Sequence, residues 1–110
     1  MYRALDEDGY HHAVAISYES LWAARHAILR AAARYGAHQV RIPGWAAEPF
    51  GEPPEELELV VSFDSGRSLL DHAALQLEIA AILGQRVNVL SDGGMRLSER
   101  ERVAREYVPF

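Results

Sequence analysis

Apolar residues recur at two periods along the chain, and the change from one period to the other predicts alternating helices and strands. A spacing of three to four residues is typical of a helix with one buried face, whereas short dense or alternating apolar runs are typical of strands. Applied along the sequence, these patterns predict helices over 17–35, 69–83 and 99–107 and strands over 39–42, 56–63 and 86–90.

Small polar residues and glycines mark the ends of the first two predicted helices. Ser17 or Ser20 is predicted to cap the first helix, and Gly36 to end it. Ser68 and Gly84 have the same two roles in the second helix. The boundaries of the 69–83 helix therefore rest on two independent signals, periodicity and capping.

The three predicted helices differ in how much apolar surface they carry. The first has Arg and His residues off its apolar stripe, which form a solvated basic edge or, alternatively, a contact surface for an acidic partner. The second is apolar over more of its circumference than one sheet face needs, which predicts central burial or an oligomer or partner surface. The third, opened by a predicted capping box of Ser98 and Glu101, is too charged to be more than half buried. The basic residues of the first helix are Arg25, His26, Arg30 and Arg34.

The length and composition of the chain fit a single globular domain. It has 110 residues, of which 49% are hydrophobic and 25% are charged. We predict that residues 17–110 form this domain and that residues 1–16, in which Asp-Glu-Asp-Gly signals a turn, form an N-terminal arm or hairpin. The absence of cysteine excludes disulfides and thiolate metal sites.

Charge and hydropathy narrow the expected partners. The net charge is −5 and all 11 basic side chains other than histidine are arginines, so nucleic acid is an unfavourable partner, although a local Arg patch stays open. No apolar run approaches the roughly 20 residues of a membrane span, and the start of the chain lacks the pattern of a signal peptide. We therefore expect a cytoplasmic protein that does not associate with a membrane.

Two glutamates stand at the start of the predicted strand over 56–63. Glu56 and Glu58 are two residues apart, and the period of two places both carboxylates on one face of that strand. Two acidic groups in this position could hold a metal ion.

Several short motifs stand in a fixed order around these glutamates and resemble a known family. That family is the minimal nucleotidyltransferases of the DNA polymerase beta superfamily, the small partners of HEPN proteins in two-gene modules. The resemblance implies an α/β (α+β) fold of the nucleotidyltransferase palm type, with a small mixed sheet packed against about three helices on one face. The motifs that carry it are Val40-Arg41-Ile42 before Gly44, Glu56-Leu57-Glu58 before an apolar run, the Gly-Arg-Ser-Leu sequence within 63–71, and Leu83-Gly84-Gln85-Arg86-Val87-Asn88-Val89.

The chain departs from the family pattern at the positions that carry the chemistry. Gly44 keeps the family glycine, but Trp45 replaces the serine that meets the nucleotide phosphates. Glu56 and Glu58 replace the two metal-binding aspartates, and Asn88 replaces the third carboxylate, which serves as the base. The family arginine and glycine that follow the turn are Glu48 and Pro49 here. We therefore predict that no catalytic residue is present and that these positions are vestigial.

The substitutions also weaken the case for a metal ion. Glutamate carries one more methylene than aspartate, whereas Mg²⁺ demands near-ideal octahedral geometry at about 2.0–2.1 Å. Asn88 can offer a metal its amide oxygen but cannot take the proton of an attacking hydroxyl. We expect no metal, and Glu56 and Glu58 stay as weak candidates for binding one.

The leading hypothesis for function is a catalytically degenerate nucleotidyltransferase-like protein that acts as a protein-binding module. The resemblance implies an antitoxin-like partner of a HEPN toxin, with self-association into a homo-oligomer as a further option. Trp45, Leu69 and Leu70 are the predicted partner-binding residues, and no cofactor is expected.

Two other hypotheses stay open. A divergent enzyme would use Mg²⁺ or Mn²⁺ held by Glu56 and Glu58 to transfer a nucleotide to protein, and it would need another base and a pocket that Trp45 does not block. A nucleotide sensor without turnover would use arginines as phosphate contacts, although no spacing supports it. Those arginines are Arg41, Arg67 and Arg86.

Overall fold

The computed structural model describes residues 18–47 and 56–110. The predicted N-terminal arm over 1–16, the possible cap Ser17 and the family positions Glu48 and Pro49 lie outside these residues. The described elements are α1 (Tyr18–Ala23), α2 (Arg25–Arg34), β1 (Ala37–Pro43), a short 3₁₀ helix (Gly44–Ala47), β2 (Leu57–Phe63), α3 (Leu69–Leu83), β3 (Val87–Ser91), a 3₁₀ turn (Asp92–Gly94), α4 (Leu97–Glu106) and β4 (Tyr107–Pro109).

The four strands form one mixed sheet in the order β3-β2-β1-β4. β2 and β3 are parallel, because the 15-residue helix α3 carries the chain back between them. β1 is antiparallel to both β2 and β4. The sheet and its helices confirm the predicted α+β class with one small mixed sheet.

The main core lies between one face of the sheet and helices α1, α2 and α3. The odd-numbered residues of β2 point to this side, as the period of two requires: Leu57, Leu59 and Val61 are fully excluded from solvent, and Phe63 at the end of the strand is partly buried. The first two predicted helices lie on this face, the first of them divided into α1 and α2, whereas the third lies on the other face. The fully buried large side chains of this core are Leu21, Ile28, Ile42, Leu57, Leu59, Val61, Leu75 and Ile79.

The fourth helix, α4, packs on the opposite face of the sheet and forms a smaller core. Val60 points to this side from β2, and it clusters with Val103 of α4 and Tyr107 of β4. Leu90 and Met95 pack against the same cluster. Both faces of β2 are thus covered at its centre, and this explains its nearly continuous apolar sequence.

The predicted first helix is wrong in its continuity and in one of its caps. The chain forms two helices that meet at Ala24, whose φ of −89° and ψ of −1° lie off the helical values. Ala24 N–H is shared between the carbonyls of Ser20 and Leu21, at 3.1 Å from each, which tightens the turn locally. Ser20 lies inside α1, so it does not cap the helix.

The predicted start of the last helix is also wrong. α4 begins at Leu97, and the Glu99 carboxylate accepts a hydrogen bond of 2.9 Å from the backbone N–H of Arg96. The acidic residue three positions after the cap is therefore Glu99 rather than Glu101. In contrast, α3 confirms its predicted bounds, because Ser68 caps it and Gly84 ends it in the left-handed conformation with φ of 71°.

A polar cluster fixes the turn after β3 to the middle of the sheet. Asp92 accepts hydrogen bonds from Ser62 Oγ at 2.6 Å and from Arg41 Nη2 at 3.0 Å. Partial burial opposes ionisation of this carboxyl, but the bonds from Ser62 and Arg41 prevail and lower the pKa of Asp92 below 3.8. The ionised carboxylate is therefore stabilised in the folded state.

Asp92→Asn is expected to lower the free energy of unfolding at pH 7 by about 1–2 kcal/mol, because Arg41 loses its charged acceptor. Because the folded pKa lies below the unfolded one, the stabilisation is present above pH 4 and is lost as the pH falls through the folded pKa. Urea unfolding of both proteins between about pH 3 and pH 7 measures this, and the two stabilities should converge in acid. Glu101→Gln, at an exposed position of α4, is the matched control. The prediction would be contradicted if the free energies of unfolding of wild type and Asp92→Asn differed by the same amount at every pH.

Candidate functional site

The two glutamates predicted as a pair lie side by side at the entrance to β2. Glu58 is the second residue of the strand and Glu56 precedes it, and both side chains line one cavity of about 650 Å³. The cavity lies on the α4 side of the sheet, and Gly44 and Trp45 line it as well. The fold therefore brings together four of the positions named from the sequence. The other lining residues are Pro43, Arg102, Glu106 and Tyr107.

Glu56 is bound by two neighbouring side chains. Asn88 Nδ2 donates a hydrogen bond of 2.8 Å to Glu56 Oε1, and Arg86 Nε lies 3.4 Å from Oε2. The parallel register places Asn88 directly opposite Glu58, at the position where the family has its third carboxylate. Here the amide works as a hydrogen-bond donor to a carboxylate, which an aspartate at the same position could not do when ionised.

Glu58 is bound by the first residue of β4. The hydroxyl of Tyr107 donates to Glu58 Oε1 at 3.2 Å, and the Tyr107 side chain is buried against Val60 and Val103. Burial, followed by the charge of Glu58, raises the pKa of Tyr107 to about 12. The tyrosine therefore stays neutral and keeps donating over the whole physiological range.

Tyr107 is expected to make folding less stable at high pH. Its folded pKa of about 12 exceeds the ordinary value of 10.0, so its contribution is complete below pH 10 and is lost as the pH rises through 12. The loss is at most about 2–3 kcal/mol. Absorbance titration at alkaline pH should show one tyrosine that ionises late in the folded protein.

Tyr107→Phe should abolish the late tyrosine ionisation. It should also reduce the fall in the free energy of unfolding between about pH 10 and pH 12. Tyr35→Phe is the matched control, since it removes a hydroxyl that donates to Glu78 at 3.0 Å outside this cavity. If the late phase survives in Tyr107→Phe, the assignment is wrong.

Trp45 forms part of the cavity wall and does not fill the cavity. It lies in the 3₁₀ helix after β1, is half-buried and packs against the main core. Trp22 Nε1 donates to the carbonyl of Ala46 at 3.0 Å, which ties this turn to α1. A Cβ at Gly44 would lie 3.3 Å from the Glu106 carbonyl oxygen, so the glycine permits close approach of the end of α4.

The donor set of the cavity does not form a metal site as the side chains stand. Within residues 18–47 and 56–110, no three His, Cys, Asp or Glu side chains are grouped so that they could hold an ion. Mg²⁺ is usually held by one or two carboxylates together with substrate phosphates. Glu56 and Glu58 could supply two carboxylates, and Asn88 holds the place of a third without adding an acidic group.

The arginines proposed as phosphate contacts do not converge. Arg41 is bound to Asp92, and Arg86 pairs with Glu56 at the cavity. Arg67 pairs with Asp71 at 3.5 Å, at the start of α3. β1 ends where β2 begins, so the start of α3 and the cavity lie at opposite ends of the sheet.

The predicted partner-binding residues are likewise separated. Trp45 follows the end of β1, whereas Leu69 and Leu70 follow β2 and stand at the other end of the same antiparallel pair. At about 3.3 Å per residue, a seven-residue strand separates them by roughly 20 Å. Leu69 and Leu70 are 84% and 80% exposed.

Three lining residues of the cavity were missed by sequence reasoning. Arg102 and Glu106 form an ion pair at 3.0 Å on α4, and Tyr107 begins β4, which the sequence did not predict as a strand. They reach the glutamates only because α4 crosses the sheet and β4 pairs with β1, with Tyr107 opposite Pro43. The i, i+4 spacing of Arg102 and Glu106 was the one signal available, and it indicated only a helical ion pair.

The fold and the position of this cavity, beside the entrance to β2, define a nucleotidyltransferase-like domain. A solved structure described as a "putative minimal nucleotidyltransferase" superposes with a TM-score of 0.76, at 41% sequence identity over 86% of this chain and 97% of that chain. A protein of Methanocaldococcus jannaschii named a "putative protein adenylyltransferase" is 28% identical over 75 residues, which are 68% of this chain and 81% of that protein. No protein-family model matches the chain.

The chain belongs to the minimal nucleotidyltransferase family. The resemblance identified from the motifs is thereby confirmed. Glu58 and Asn88 lie opposite each other on the adjacent strands β2 and β3. None of the described helices combines the length and apolar composition needed to cross a membrane.

Proposed function

We propose that this protein is a catalytically degenerate minimal nucleotidyltransferase that acts by binding another protein, as the antitoxin-like partner of a HEPN toxin. The observation that carries the proposal is the hydrogen bonding of the two glutamates. Asn88 donates to Glu56 at 2.8 Å and Tyr107 donates to Glu58 at 3.2 Å. The residue at the position of the family's third carboxylate is therefore a hydrogen-bond donor that holds Glu56, and it supplies neither an acidic ligand nor a base.

The chemistry of nucleotide transfer supports the same conclusion. An attacking hydroxyl must lose its proton to a base within hydrogen-bond reach, and the amide of Asn88 is not a base. Tyr107, which touches Glu58, has its pKa raised to about 12 and therefore holds its own proton at neutral pH. The side chains nearest the glutamates are thus suited to hold them in place.

Exposed apolar side chains supply the surface for a protein partner. Leu69 and Leu70 at the start of α3 are among the most exposed large apolar residues described. Trp45, half-buried at the cavity wall, offers a second anchor at the other end of the sheet. A second copy of the chain is the other occupant that such a surface could take, which would make a homo-oligomer.

A second candidate function is protein nucleotidylation by a divergent enzyme. The cavity beside Glu56 and Glu58 is about 650 Å³, a size typical of small-molecule sites, and Trp45 leaves it open. The relative from Methanocaldococcus jannaschii is itself named as an adenylyltransferase. In this candidate Glu56 and Glu58 would hold Mg²⁺ or Mn²⁺, and a base at a position other than 88 would act.

Isothermal titration separates the two candidates. ATP, GTP, CTP and UTP are each titrated into the protein with millimolar Mg²⁺ and then Mn²⁺, and Glu56→Ala/Glu58→Ala serves as the control. The proposal expects no saturable heat with any nucleotide. Heat that the double substitution abolishes would overturn it and favour the enzyme, and the search for nucleotide transferred to a partner protein would follow.

A further inference from the structure

Helix α3 presents an apolar row to solvent as well as to the core. Leu75 and Ile79 are fully buried beneath it, whereas Leu70 and Leu77 on the opposite side are 80% and 72% exposed. Ala73 and Ala81 are exposed on that same side, so the outward positions at spacings of three and four are all apolar. Such a face on a helix already anchored by its other side is typical of a contact surface.

Helix α2 lies beside α3 and presents a basic row. His26, Arg30 and Arg34 recur every four residues on its exposed side. The sequence contains no Asp or Glu between residues 20 and 47, although the whole chain has a net charge of −5. No salt bridge joins His26 or Arg30 to any other residue that the structure describes.

Glu78 fixes the two rows next to each other. It pairs with Arg34 of α2 and accepts a hydrogen bond of 3.0 Å from Tyr35 Oη. Glu78 lies one position after Leu77, so the basic row meets the apolar row at this point of α3. We call the combined surface, formed by the two rows, the α2–α3 face.

We propose that the α2–α3 face binds an amphipathic helix of a partner protein whose apolar residues meet Leu70 and Leu77 and whose acidic residues meet His26 and Arg30. The inference rests on the proposed protein-binding function and specifies the chemistry of the partner. The row from Leu70 to Ala81 extends for about 16 Å, which three turns of a partner helix would cover. Apolar anchors at i, i+4, i+7 and i+11 in that helix would match it.

Charge complementarity favours this partner over a second copy of the chain. The α2 helix of a second copy would bring three further arginines and no acid. The acidic groups on its α3 helix are already bound, Glu78 by Arg34 and Asp71 by the backbone N–H of Ser68. An acidic partner helix would neutralise Arg30, which has no acidic partner among the described residues, whereas the α2 helix of a second copy would bring further positive charge.

The test uses designed helical peptides of about 16 residues as probes, measured by fluorescence anisotropy. One peptide carries leucines at the four anchor spacings and glutamates along one flank, and its matched partner has lysines in place of the glutamates. We expect the acidic peptide to bind saturably, the lysine peptide to bind at least about tenfold more weakly, and added salt to reduce the difference.

Single substitutions assign the binding to the α2–α3 face. Leu77→Ser and Arg30→Glu should each lower the affinity for the acidic peptide by about fivefold or more. Arg30→Glu should also raise the affinity for the lysine peptide. The matched controls are Leu97→Ser, at a leucine that is 71% exposed on α4, and Arg105→Glu, also on α4. Both control variants should bind the acidic peptide with an affinity within about twofold of that of the wild type.

Each remaining outcome would overturn the proposal. These are absence of saturable binding, equal binding of the two peptides, or equal losses in the α4 controls. Sedimentation showing a wild-type dimer that Leu77→Ser converts to monomer would assign the face to a second copy, and displacement of the peptide by an RNA oligonucleotide would assign the basic row to nucleic acid. Nucleotide binding in the calorimetric test would refute the proposal that the active site is degenerate, but it would not change the result of the peptide test. Failure of the proposed function and failure of the proposed binding face can therefore be told apart.

Discussion

Leu59→Ala is expected to lower the free energy of unfolding by about 3–5 kcal/mol. Leu59 is fully buried at the centre of β2, which pairs with strands on both sides, and its side chain belongs to the core beneath helices α1 to α3. Removing its three outer carbons loses burial and leaves a cavity that the paired strands cannot collapse to fill. The free energy of unfolding of a natural domain is only about 5–15 kcal/mol, so this single substitution should remove a large part of it.

Urea unfolding followed by circular dichroism measures this loss, with Leu97→Ala as the control. Leu97 is 71% exposed on α4, so the same chemical change there should alter stability by no more than about 0.5 kcal/mol. Similar losses in the two variants would show that Leu59 does not lie in a tightly packed core.

The features that the sequence predicted correctly are those with a local cause. Ser68 and Gly84 bound α3 because capping depends on residues within one turn of the helix end. Glu56 and Glu58 share the cavity because residues two apart on an extended chain point the same way. The family motifs added the mixed sheet of the palm-type fold, which no local pattern contains.

The features that were missed or wrong depend on contacts between distant residues. β4 has three residues and includes Pro109, too few for a periodic signal, and it exists because β1 offers a free edge for pairing. The break at Ala24 interrupts a run of strong helix formers, so propensity could not predict it. The predicted cap Ser98 lies inside α4, because the helix begins two residues earlier than predicted and the Glu99 carboxylate accepts from the N–H of Arg96, a residue type that gives no capping signal.

The predicted partner-binding residues do not form one continuous surface. Trp45 and Leu69 lie at opposite ends of the β1–β2 pair, so one small contact cannot include both. The α2–α3 face extends the apolar surface away from Leu70 along α3 and adds the basic row of α2. A partner that binds there would leave the cavity with Glu56 and Glu58 accessible, because the cavity lies on the α4 side of the sheet.

Asn88→Asp is expected to convert the cavity into a cation site. The substitution replaces a donor 2.8 Å from Glu56 with a third carboxylate directly opposite Glu58 in the parallel register. Without a divalent cation, the lost hydrogen bond and the added like charge should destabilise the fold by about 1–3 kcal/mol. Millimolar Mn²⁺ should restore much of that loss, because an ion that binds only the folded state stabilises it by mass action.

Thermal unfolding in EDTA and in Mn²⁺ decides between a vestigial and a functional cavity. Asn88→Ala is the control: it loses the same hydrogen bond to Glu56 without adding a charge, so it should be destabilised but not rescued by the ion. Wild type should show little response, because it has an amide donor in place of the third carboxylate. If Mn²⁺ stabilises wild type as much as Asn88→Asp, Glu56 and Glu58 already bind the ion by themselves. The identity of residue 88 would then affect only the proton-accepting step, and the divergent enzyme would replace the binding module as the better account of this site.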